Sequence, residues 1–405
     1  MRWATAFSLC VLAACGTGSD PGRAPVVTWY AAPDRLDTAA LARTCTEAAD
    51  GAYRIEVRQL PADVTERHAL LVRRLLAKDD GIDLLSLDTA FTAELAAARF
   101  LAPVPSTLTS ELSDDIAPAA LAAATYRDEL VVAPWWLDPQ VLWYRGNTAE
   151  RAGLDTTKPI SWDDLIAGAQ RLGVTVQVED RDGSGLAEWV NALVTGSGGT
   201  LVDGTGRGAT VGLDSDAGRT AASVVELYDE AKVGPGPSTD ALTGFAAANG
   251  GFLVASSSVI ADPALVAIAA DVKAAPYPVI ADDSIAPLAG IGLAVPASAS
   301  DPARSFDAVS CLTSPDVLRV VMTTARHSAS RQSTYRDPAV KTAVTDASLV
   351  RRAVATGRTV PGTPYWSLVR AAIDETWLPV TDVTQDLTPE QSQTAARTAI
   401  EGKLS

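Results

Sequence analysis

Short apolar runs and longer amphipathic segments alternate through the first hundred residues of the chain. Runs rich in β-branched and aromatic residues predict strands, and apolar positions spaced three or four apart predict helices. Strands are expected at residues 26–30, 53–57 and 82–87, and helices at about 37–49, 68–77 and 94–98. This order is typical of a mostly parallel sheet covered by helices, so we expect an α/β fold.

The carboxyl ends of these strands are the expected place for a ligand, because open parallel sheets bind ligands beyond the ends of their strands. The rule selects Tyr30 and Ala31 after the first strand, Leu60 after the second and Asp88 after the third. Asp88 also precedes a helical segment, where a carboxylate caps the first turn. Both roles stay open for Asp88.

A cluster of aromatic residues follows a predicted strand at 130–134. The ten residues from Trp135 to Tyr144 contain four aromatic rings, an aspartate and a glutamine. This mixture suits a saccharide, because sugar C–H faces stack on rings while hydroxyl groups bond to carboxylates and amides. We expect Trp135, Trp136 and Asp138 in a binding site. The last two aromatic residues of the run suit a hydrophobic core at least as well.

The remainder of the chain repeats the alternation of strand and helix. A helix is expected from Ser161, a strand at 174–178, a helix at 186–194 and a returning strand at 291–295, followed by about a hundred mainly helical residues. About 380 residues follow the leader, more than one core of roughly 100–200 residues accommodates. We therefore predict two α/β lobes. Their predicted boundaries are 25–133 with 274–325 for lobe 1, and 134–273 with 326–405 for lobe 2.

The first residues have the pattern of an export signal. Arg2 precedes an apolar run that ends in Ala13-Ala14-Cys15, which predicts a signal peptide at 1–14. The run is far shorter than the roughly 20 residues of a membrane span. Cys15 resembles the lipidated cysteine of a bacterial lipobox, so we expect a lipid that holds the protein at a membrane surface. Residues 15–24 are the expected flexible tether, and an ordinary secretory signal is the alternative.

Charge and cysteine content narrow the possible partners. Loss of Arg2 with the leader leaves 32 of 33 basic residues against 49 acidic ones, which argues against binding nucleic acid. Cys45 and Cys311 then remain in a compartment where disulfides persist. We expect them to form a bridge, with two buried free thiols as the alternative.

Most enzyme motifs are absent from the sequence. It has no Walker loop, no Gly-x-Ser-x-Gly elbow and no zinc-spaced cluster, and its only histidines are His68 and His327. Glycines 204, 206 and 208 predict a turn, and His68 is expected at a helix edge. Segment 180–185 with Glu188 lacks the ligand spacing of a calcium loop and predicts a solvated turn. We expect no catalytic residues, no metal and no cofactor.

Six stretches of the chain match one family pattern: Glu66–Leu75, Asp83–Leu95, Ala133–Arg145, Trp189–Leu193, Gly198–Gly199 and Thr363–Trp366. With them the chain resembles the extracellular solute-binding proteins of sugar ABC importers (family 1 type), in particular the trehalose-binding lipoproteins of mycobacterial-type importers. The resemblance implies two α/β lobes that close on a ligand as a periplasmic-binding-protein-like clamp. It also implies delivery of a saccharide to a membrane permease, and Cys45 and Cys311 fall where those relatives carry cysteines.

The resemblance also implies roles for individual residues. Asp88 matches a cleft carboxylate, and Trp135–Gln140 matches a ligand-facing loop in which relatives tend to have an amide at the place of Asp138. Trp189 and Asn191 match a second-lobe helix that faces the cleft. The expected ligand-binding residues are Tyr30, Asp88, Trp135, Trp136, Asp138, Gln140, Trp189, Asn191, Ser257, Gly292, Arg331 and Trp366.

The sequence departs from the family pattern in two places. Serines occupy 256–258, where relatives place an aromatic that stacks on sugar, and segment 325–331 replaces a Gly-rich, Pro-containing loop, although Arg331 remains. Trehalose is therefore one suggestion. Either Trp135 and Trp136 supply the missing aromatic platform, or the pocket holds a different glycoside.

We therefore expect a monomeric, lipid-anchored, non-enzymatic sugar-binding protein outside the cytoplasm. The first alternative is an exported glycosidase that uses Asp88 with Asp138 or Glu188 as paired carboxylates. The second is a binding protein for a cationic peptide or amine held by Asp88 and Asp138.

Overall fold

The computed structural model describes residues 24–206, 208–281, 285–344 and 346–402. The strands are β1 (Val26–Ala31), β2 (Arg54–Gln59), β3 (Leu84–Asp88), β4 (Thr125–Tyr126), β5 (Glu129–Leu130), β6 (Ala133–Arg145), β7 (Thr175–Glu179), β8 (Val202–Asp203), β9 (Thr210–Val211), β10 (Pro237–Ser238), β11 (Gly250–Ser256), β12 (Val272–Ala275) and β13 (Leu288–Ala294).

The helices lie between and after these strands. They are α1 (Thr38–Ala48), α2 (Val64–Leu76), α3 (Thr92–Ala97), α4 (Ser106–Ser113), α5 (Pro118–Ala124), α6 (Thr148–Arg151), α7 (Trp162–Leu172), α8 (Gly185–Gly196), α9 (Asp216–Glu230), α10 (Ala241–Ala246), α11 (Pro263–Val266), α12 (Pro302–Leu312), α13 (Pro315–Thr324), α14 (Pro338–Ala343), α15 (Ala347–Thr356), α16 (Trp366–Trp377) and α17 (Thr388–Glu401). Short 3-10 turns lie at Thr89–Phe91, Ser257–Ala261, Ala269–Asp271, Gln332–Arg336 and Val380–Asp382.

The first third of the chain folds as the apolar pattern predicts. Strand β1 pairs in parallel with β2 and β3, and the intervening helices cover the sheet. Asp37 caps α1 by accepting from the backbone N–H of Ala40, and Asp63 caps α2 by accepting from that of Glu66. Such caps satisfy backbone donors that a helix leaves free at its start. The predicted α/β fold is confirmed.

One mixed sheet of nine strands runs through the described part of the chain, in the order β10-β7-β11-β6-β13-β3-β1-β2 with β12 also paired to β6. The long strand β6 is shared between two groups of partners. Its first half pairs with β13, up to Pro139 opposite Leu288. Its second half pairs with β11 and β12, starting from Gln140 opposite Ser256. The change of partner within β6 therefore marks the junction between two lobes.

Two large apolar cores lie on either side of this junction. The first surrounds β1, β3 and β13 and includes α1, α2, α12 and α13, and the second surrounds β7 and includes α7–α9, α16 and α17. Ala286 packs in the second core and Leu288 in the first, so the chain re-enters the first lobe near 288 rather than 274. Val340 still packs on the first core, and α15 contributes Val354 to the first and Ala353 to the second.

A disulfide joins α1 to α12 within the first lobe. Cys45 and Cys311 are 266 residues apart in sequence, and their Cα atoms are 5.8 Å apart. The predicted bridge is present, and it links the two separate segments of the first lobe. The predicted leader at 1–14, the lipidation residue Cys15 and all of the tether except Ala24 lie outside the described residues. Within the described ranges no helix is both long enough and apolar enough to cross a bilayer.

Candidate ligand-binding cleft

A polar cleft lies between the lobes at the carboxyl ends of β1, β3, β7 and β11. The first lobe contributes the loop after β1 and the end of β3, and the second lobe contributes the turn after β7 and the start of α8. Strands β6 and β13 form the side of the cleft at the junction of the lobes, where Asp138 lies opposite Ala289. This position is the one that the strand-end rule predicts for a ligand.

Alternate residues of β6 face the cleft. Trp136, Asp138 and Gln140 line it, because successive side chains of a strand point to opposite faces. Trp135 points the other way and is fully buried in the first core, where its indole N–H donates to the carbonyl of Leu312 at 2.9 Å. The expected ligand contact of Trp135 is therefore corrected to a core position.

A buried imidazolium holds two carboxylates at the junction side of the cleft. His327 donates from Nδ1 to Asp138 at 2.6 Å and from Nε2 to Asp34 at 2.9 Å. The second carboxylate oxygen of Asp138 accepts from the backbone N–H of Ser328 at 2.6 Å. The ring of Trp136 stacks on the imidazole with centroids 4.5 Å apart. These contacts fix the four side chains relative to one another.

Ionisation follows from these contacts. Burial opposes the charged form of His327, but Asp138 and Asp34 outweigh it and raise the pKa of His327 to about 9. Burial likewise opposes the charged forms of Asp34 and Asp138, yet the bonds to His327 lower the pKa of both carboxyls. The three groups are therefore charged together at neutral pH.

Arg67 of α2 reaches across the cleft to the second lobe. Its guanidinium donates to the carboxylate of Asp182 at 2.5 Å and lies 3.8 Å from that of Asp88. It also donates to the carbonyls of Pro61 and Ala62. Arg67 therefore joins the lobes through a buried ion pair, and its donors face several partners at once.

Asp88 fills both roles that its sequence position allows. Its carboxylate accepts from the backbone N–H of Ala90 and caps the 3-10 turn that follows β3, and it also lines the cleft. Burial raises the pKa of Asp88, the charge of Arg67 lowers it, and the charge of Asp182 raises it again; the pKa is raised overall.

Glu188 lies in the first turn of α8 and faces the same cleft. Its carboxyl accepts from the hydroxyl of Ser184 at 3.1 Å and lies 3.5 Å from the amide nitrogen of Gln140. Among the described residues no ion pair involves Glu188. Burial and the nearby carboxylates of Asp182 and Asp88 raise its pKa to about 8.

The turn at 180–185 brings several polar groups to the second-lobe wall. The Asp180 carboxylate accepts from the backbone N–H groups of Gly183 and Gly185 and closes the turn. A Cβ on Gly185 would lie 2.5 Å from the carbonyl of Glu179, so this close approach requires glycine. Although the side chain of Arg181 is 44% exposed, the turn lines the cleft and is more than the predicted solvated turn.

Tyr30, Trp189 and Trp366 lie away from the cleft. The hydroxyl of Tyr30 accepts from Arg74 at 2.6 Å, and the guanidinium also lies over the ring of Tyr30 at 4.7 Å from its centroid. Trp189 is in the second core, 5.5 Å from the ring of Trp162, and Trp366 belongs to the same core. The expected ligand contacts of these three residues are corrected to packing positions.

Four further expected residues border other features. Asn191 lines a separate surface cavity beside 198–205 and 358–363, and Ser257 lines a cavity behind His327. Gly292 is packed beneath Trp136, where a Cβ would lie 2.2 Å from Val132. Arg331 donates to Glu111 at 2.8 Å. Of the twelve expected residues, the structure thus brings together Asp88, Trp136, Asp138 and Gln140 in the cleft.

Several cleft residues were not among those expected from the sequence, and one signal would have found most of them. Asp34 follows β1, and Asp182 and Ser184 follow β7, so all three obey the strand-end rule once the rule is applied further along each loop and to the second lobe. His327 has no such signal, because its partners are 189 and 293 residues away in sequence.

Comparison with known proteins shows the family to which the chain is similar. The family model for bacterial extracellular solute-binding proteins matches residues 54–318, which is about two thirds of the chain. The chain belongs to this family. Its members are extracellular, so the protein acts outside the cytoplasm.

Solved structures share the fold of this family member along nearly all of its length. Maltose-bound MalE3 of T. maritima has a TM-score of 0.78 at 21% identity and covers 93% of this chain and 100% of its own. The GacH receptor of Streptomyces glaucescens, known unliganded and with acarbose, has a TM-score of 0.79 at 20% identity, with 94% and 100% covered. A solute-binding protein of Agrobacterium radiobacter in complex with ribitol has a TM-score of 0.78 at 18% identity, with 93% and 99% covered.

Proposed function

We propose that this protein captures a saccharide outside the cell and delivers it to the permease of an ABC importer. The observation that carries the proposal is the interlobe cleft in which one strand presents Trp136, Asp138 and Gln140 side by side. A ring, a carboxylate and an amide are the groups that bind the apolar faces and the hydroxyls of a sugar.

Family and fold support the same ligand class. The three structures of similar fold hold maltose, acarbose and ribitol, all rich in hydroxyl groups. Within this class we favour a disaccharide such as trehalose, on the strength of the sequence resemblance. Serines 256–258 in place of an aromatic residue are the feature that weighs against trehalose.

Contacts across the cleft suggest how ligand binding is coupled to delivery. Arg67 bonds to Asp182 on one side, and Arg35 of the first lobe bonds to Ser258 and Asp262 of the second. A ligand that touches both lobes favours the closed form by the difference in its affinity for closed and open forms. The permease would recognise the closed form, and a lipid on Cys15 would keep the protein beside it.

The test is calorimetric titration of the purified protein with trehalose, maltose and other disaccharides, with a product assay on the same samples. We expect saturable heat with at least one saccharide and no product. Asp88→Ala and Trp136→Ala should abolish the heat, because both side chains line the cleft. Tyr30→Phe is the matched control, since its hydroxyl bonds to Arg74 outside the cleft. No heat of binding with any saccharide, together with saturable heat on titration of a short cationic peptide, would contradict the proposal.

An exported glycosidase is the second candidate, and one observation favours it. The pKa of Glu188 is raised to about 8 while that of Asp138 is lowered, and glycosidases use one protonated and one ionised carboxyl. The product assay separates the two functions. Hydrolysis that is lost in Glu188→Gln would establish the enzyme, whereas stoichiometric binding without turnover supports the importer.

A further inference from the structure

Acidic groups outnumber basic groups in the cleft. Two guanidinium groups, of Arg67 and Arg181, line the described part of the cleft, and the imidazolium of His327 lies directly behind it. Six carboxyl groups face these three cations, those of Asp34, Asp88, Asp138, Glu179, Asp182 and Glu188. Buried charge without a partner is unfavourable, so the electrostatics of the cleft favour the binding of an additional positive charge.

Each cation in the cleft is already engaged. His327 serves Asp34 and Asp138, as described above. Arg67 serves Asp182 and Asp88, and the guanidinium of Arg181 lies 3.4 Å from the carboxylate of Glu179. Glu188 is the carboxyl that this pairing leaves over. Within the described part of the chain its hydrogen bonds are to the neutral groups of Ser184 and Gln140, and Arg181 acts on it through its charge without forming an ion pair.

Gln140 gives a second and independent indication at the same place. Among the residues that the structure describes, its side-chain oxygen has no hydrogen-bond partner, although Gln140 is only 7% exposed. A buried acceptor without a donor costs free energy, because it has lost its water without replacement. Since the amide nitrogen of Gln140 lies 3.5 Å from Glu188, the unmet acceptor and the unpaired carboxyl lie side by side.

The chemistry of these two groups selects the ligand. An ammonium group has three donors and no acceptor, so it can donate to the Gln140 oxygen and also compensate the charge that Glu188 acquires when it ionises. A neutral hydroxyl supplies a donor without compensating charge. Aromatic stacking offers less, because Trp136 is the only aromatic residue among the described residues that line the cleft.

Building on the proposed function, we infer that the solute is an aminated saccharide, with its ammonium group bound between Glu188 and Gln140 and its sugar ring beside Trp136. Glu188 is then the residue that distinguishes amino sugars from their neutral parents. The remaining carboxylates keep the structural partners described above.

Binding of such a ligand is coupled to the ionisation of Glu188. The groups that face it are Asp182 and Arg181 from the preceding turn, Asp88 from β3, Arg67 from α2 and Tyr277 from the segment after β12. Tyr277 stays neutral at pH 7, because burial and the charge of Glu188 raise its pKa.

In the free protein Glu188 has a pKa of about 8, whereas an ammonium ligand favours its ionised form. Below pH 8, binding of the ammonium group therefore releases the proton of Glu188. Affinity for the amine should rise by up to about tenfold per pH unit between pH 6 and pH 7, and affinity for a neutral sugar should not.

The experiment compares trehalose, an amino-deoxy trehalose and its N-acetyl derivative by calorimetric titration of the purified protein. We expect the amine to bind at least about tenfold more tightly than trehalose at pH 7, and N-acetylation to remove the gain because it removes the charge. Glu188→Gln should bring amine and parent to within about threefold of each other. Asp155→Asn, an exposed carboxylate on another surface, should leave the preference unchanged.

The outcomes separate this inference from the proposed function. Trehalose binding as tightly as the amine, without pH dependence, would overturn the inference and leave the proposed function standing. No binding of any saccharide would overturn both. Saturable heat with calcium chloride that competes with the amine would also overturn the inference, because a metal ion would then be the missing charge. The pH series uses the unsubstituted protein, so the test holds even if Glu188→Gln does not fold.

Discussion

The junction side of the cleft and its second-lobe wall both present carboxyl groups, but the two regions treat them differently. At the junction, Asp138 receives a bond from His327 and another from the backbone of Ser328. On the wall, the hydrogen bonds of Glu188 to described residues are with neutral groups alone. One carboxyl is held ionised by its surroundings, and the other favours its proton up to a pKa of about 8.

The comparison distinguishes carboxyl groups that stabilise the fold from carboxyl groups that can bind a ligand. A carboxylate whose oxygens already have partners has little left to offer a ligand, and its removal is felt as lost stability. A carboxyl without a cation is poised to accept one, and its removal is felt in binding. The following predictions test this division, beginning with the largest expected effect.

His327→Ala should lower the free energy of unfolding by about 3–5 kcal/mol, because it leaves Asp34 and Asp138 buried without the cation to which both bond. Equilibrium denaturation at pH 7 measures the loss. Glu188→Gln is the comparison and should not lower the free energy of unfolding at pH 7, because a carboxyl whose pKa is raised on folding opposes folding at that pH. Equal losses in both variants would erase the distinction between the two regions.

Asp138→Asn should lower the free energy of unfolding by about 1–3 kcal/mol, since it keeps the shape but replaces a buried charge-assisted hydrogen bond to His327 with a weaker neutral one. With Asp34 as its only anionic partner, His327 should titrate at a lower pH than the pKa of about 9 in the unsubstituted protein. Histidine ring signals followed by NMR across pH report this pKa. An unchanged pKa would show that Asp138 does not hold the proton on the imidazole.

Stability should depend on pH through Glu188 in a direction opposite to that of the junction carboxylates. Its pKa is raised from 4.5 to about 8 on folding, so its contribution is fully present below pH 4.5 and is lost as pH rises through 8. The slope is at most about 1.4 kcal/mol per pH unit. Denaturation of Glu188→Gln and the unsubstituted protein between pH 5 and pH 8 should give curves that diverge with rising pH in favour of the variant. Parallel curves would contradict the raised pKa.

Arg35→Ala should change the free energy of unfolding by less than about 1 kcal/mol. The ion pair of Arg35 with Asp262 is 3.4 Å long and about a quarter exposed on both sides, and water screens such pairs. The same denaturation assay, with 0.1 M and 1 M salt, measures it. A loss as large as that of His327→Ala would mean that the cleft rim contributes as much stability as the buried junction.

The sequence predicts the secondary structure of this protein better than it predicts which residues line the cleft. Strand β6 illustrates why. Its apolar and aromatic run predicts a buried element, but the choice between Trp135 and Trp136 depends on strand alternation rather than on composition. Trp136, Asp138 and Gln140 are two apart and share a face. A strict reading of period two would have separated them from Trp135.

The electrostatics of the cleft are harder to predict, because the partners are distant in sequence. Arg67 meets Asp182 at a separation of 115 residues, and His327 meets Asp34 at 293. No local spacing signals such pairs. The disulfide is easier to predict, because two cysteines in an exported chain leave a single pairing once Cys10 in the predicted leader and Cys15, the predicted lipidation site, are set aside.

The shared strand β6 has a mechanical consequence for ligand capture. If the lobes rotate about the place where β6 changes partners, Asp138 and Gln140 lie close to the rotation axis, while Arg67 and Glu188 lie farther from it, one on each lobe. Residues close to the axis move little during rotation, and residues far from it move more. A solute would therefore meet Asp138, Gln140 and Trp136 in nearly the same place in the open and closed clamp, and would gain the contacts of the more distant residues only when the clamp shuts.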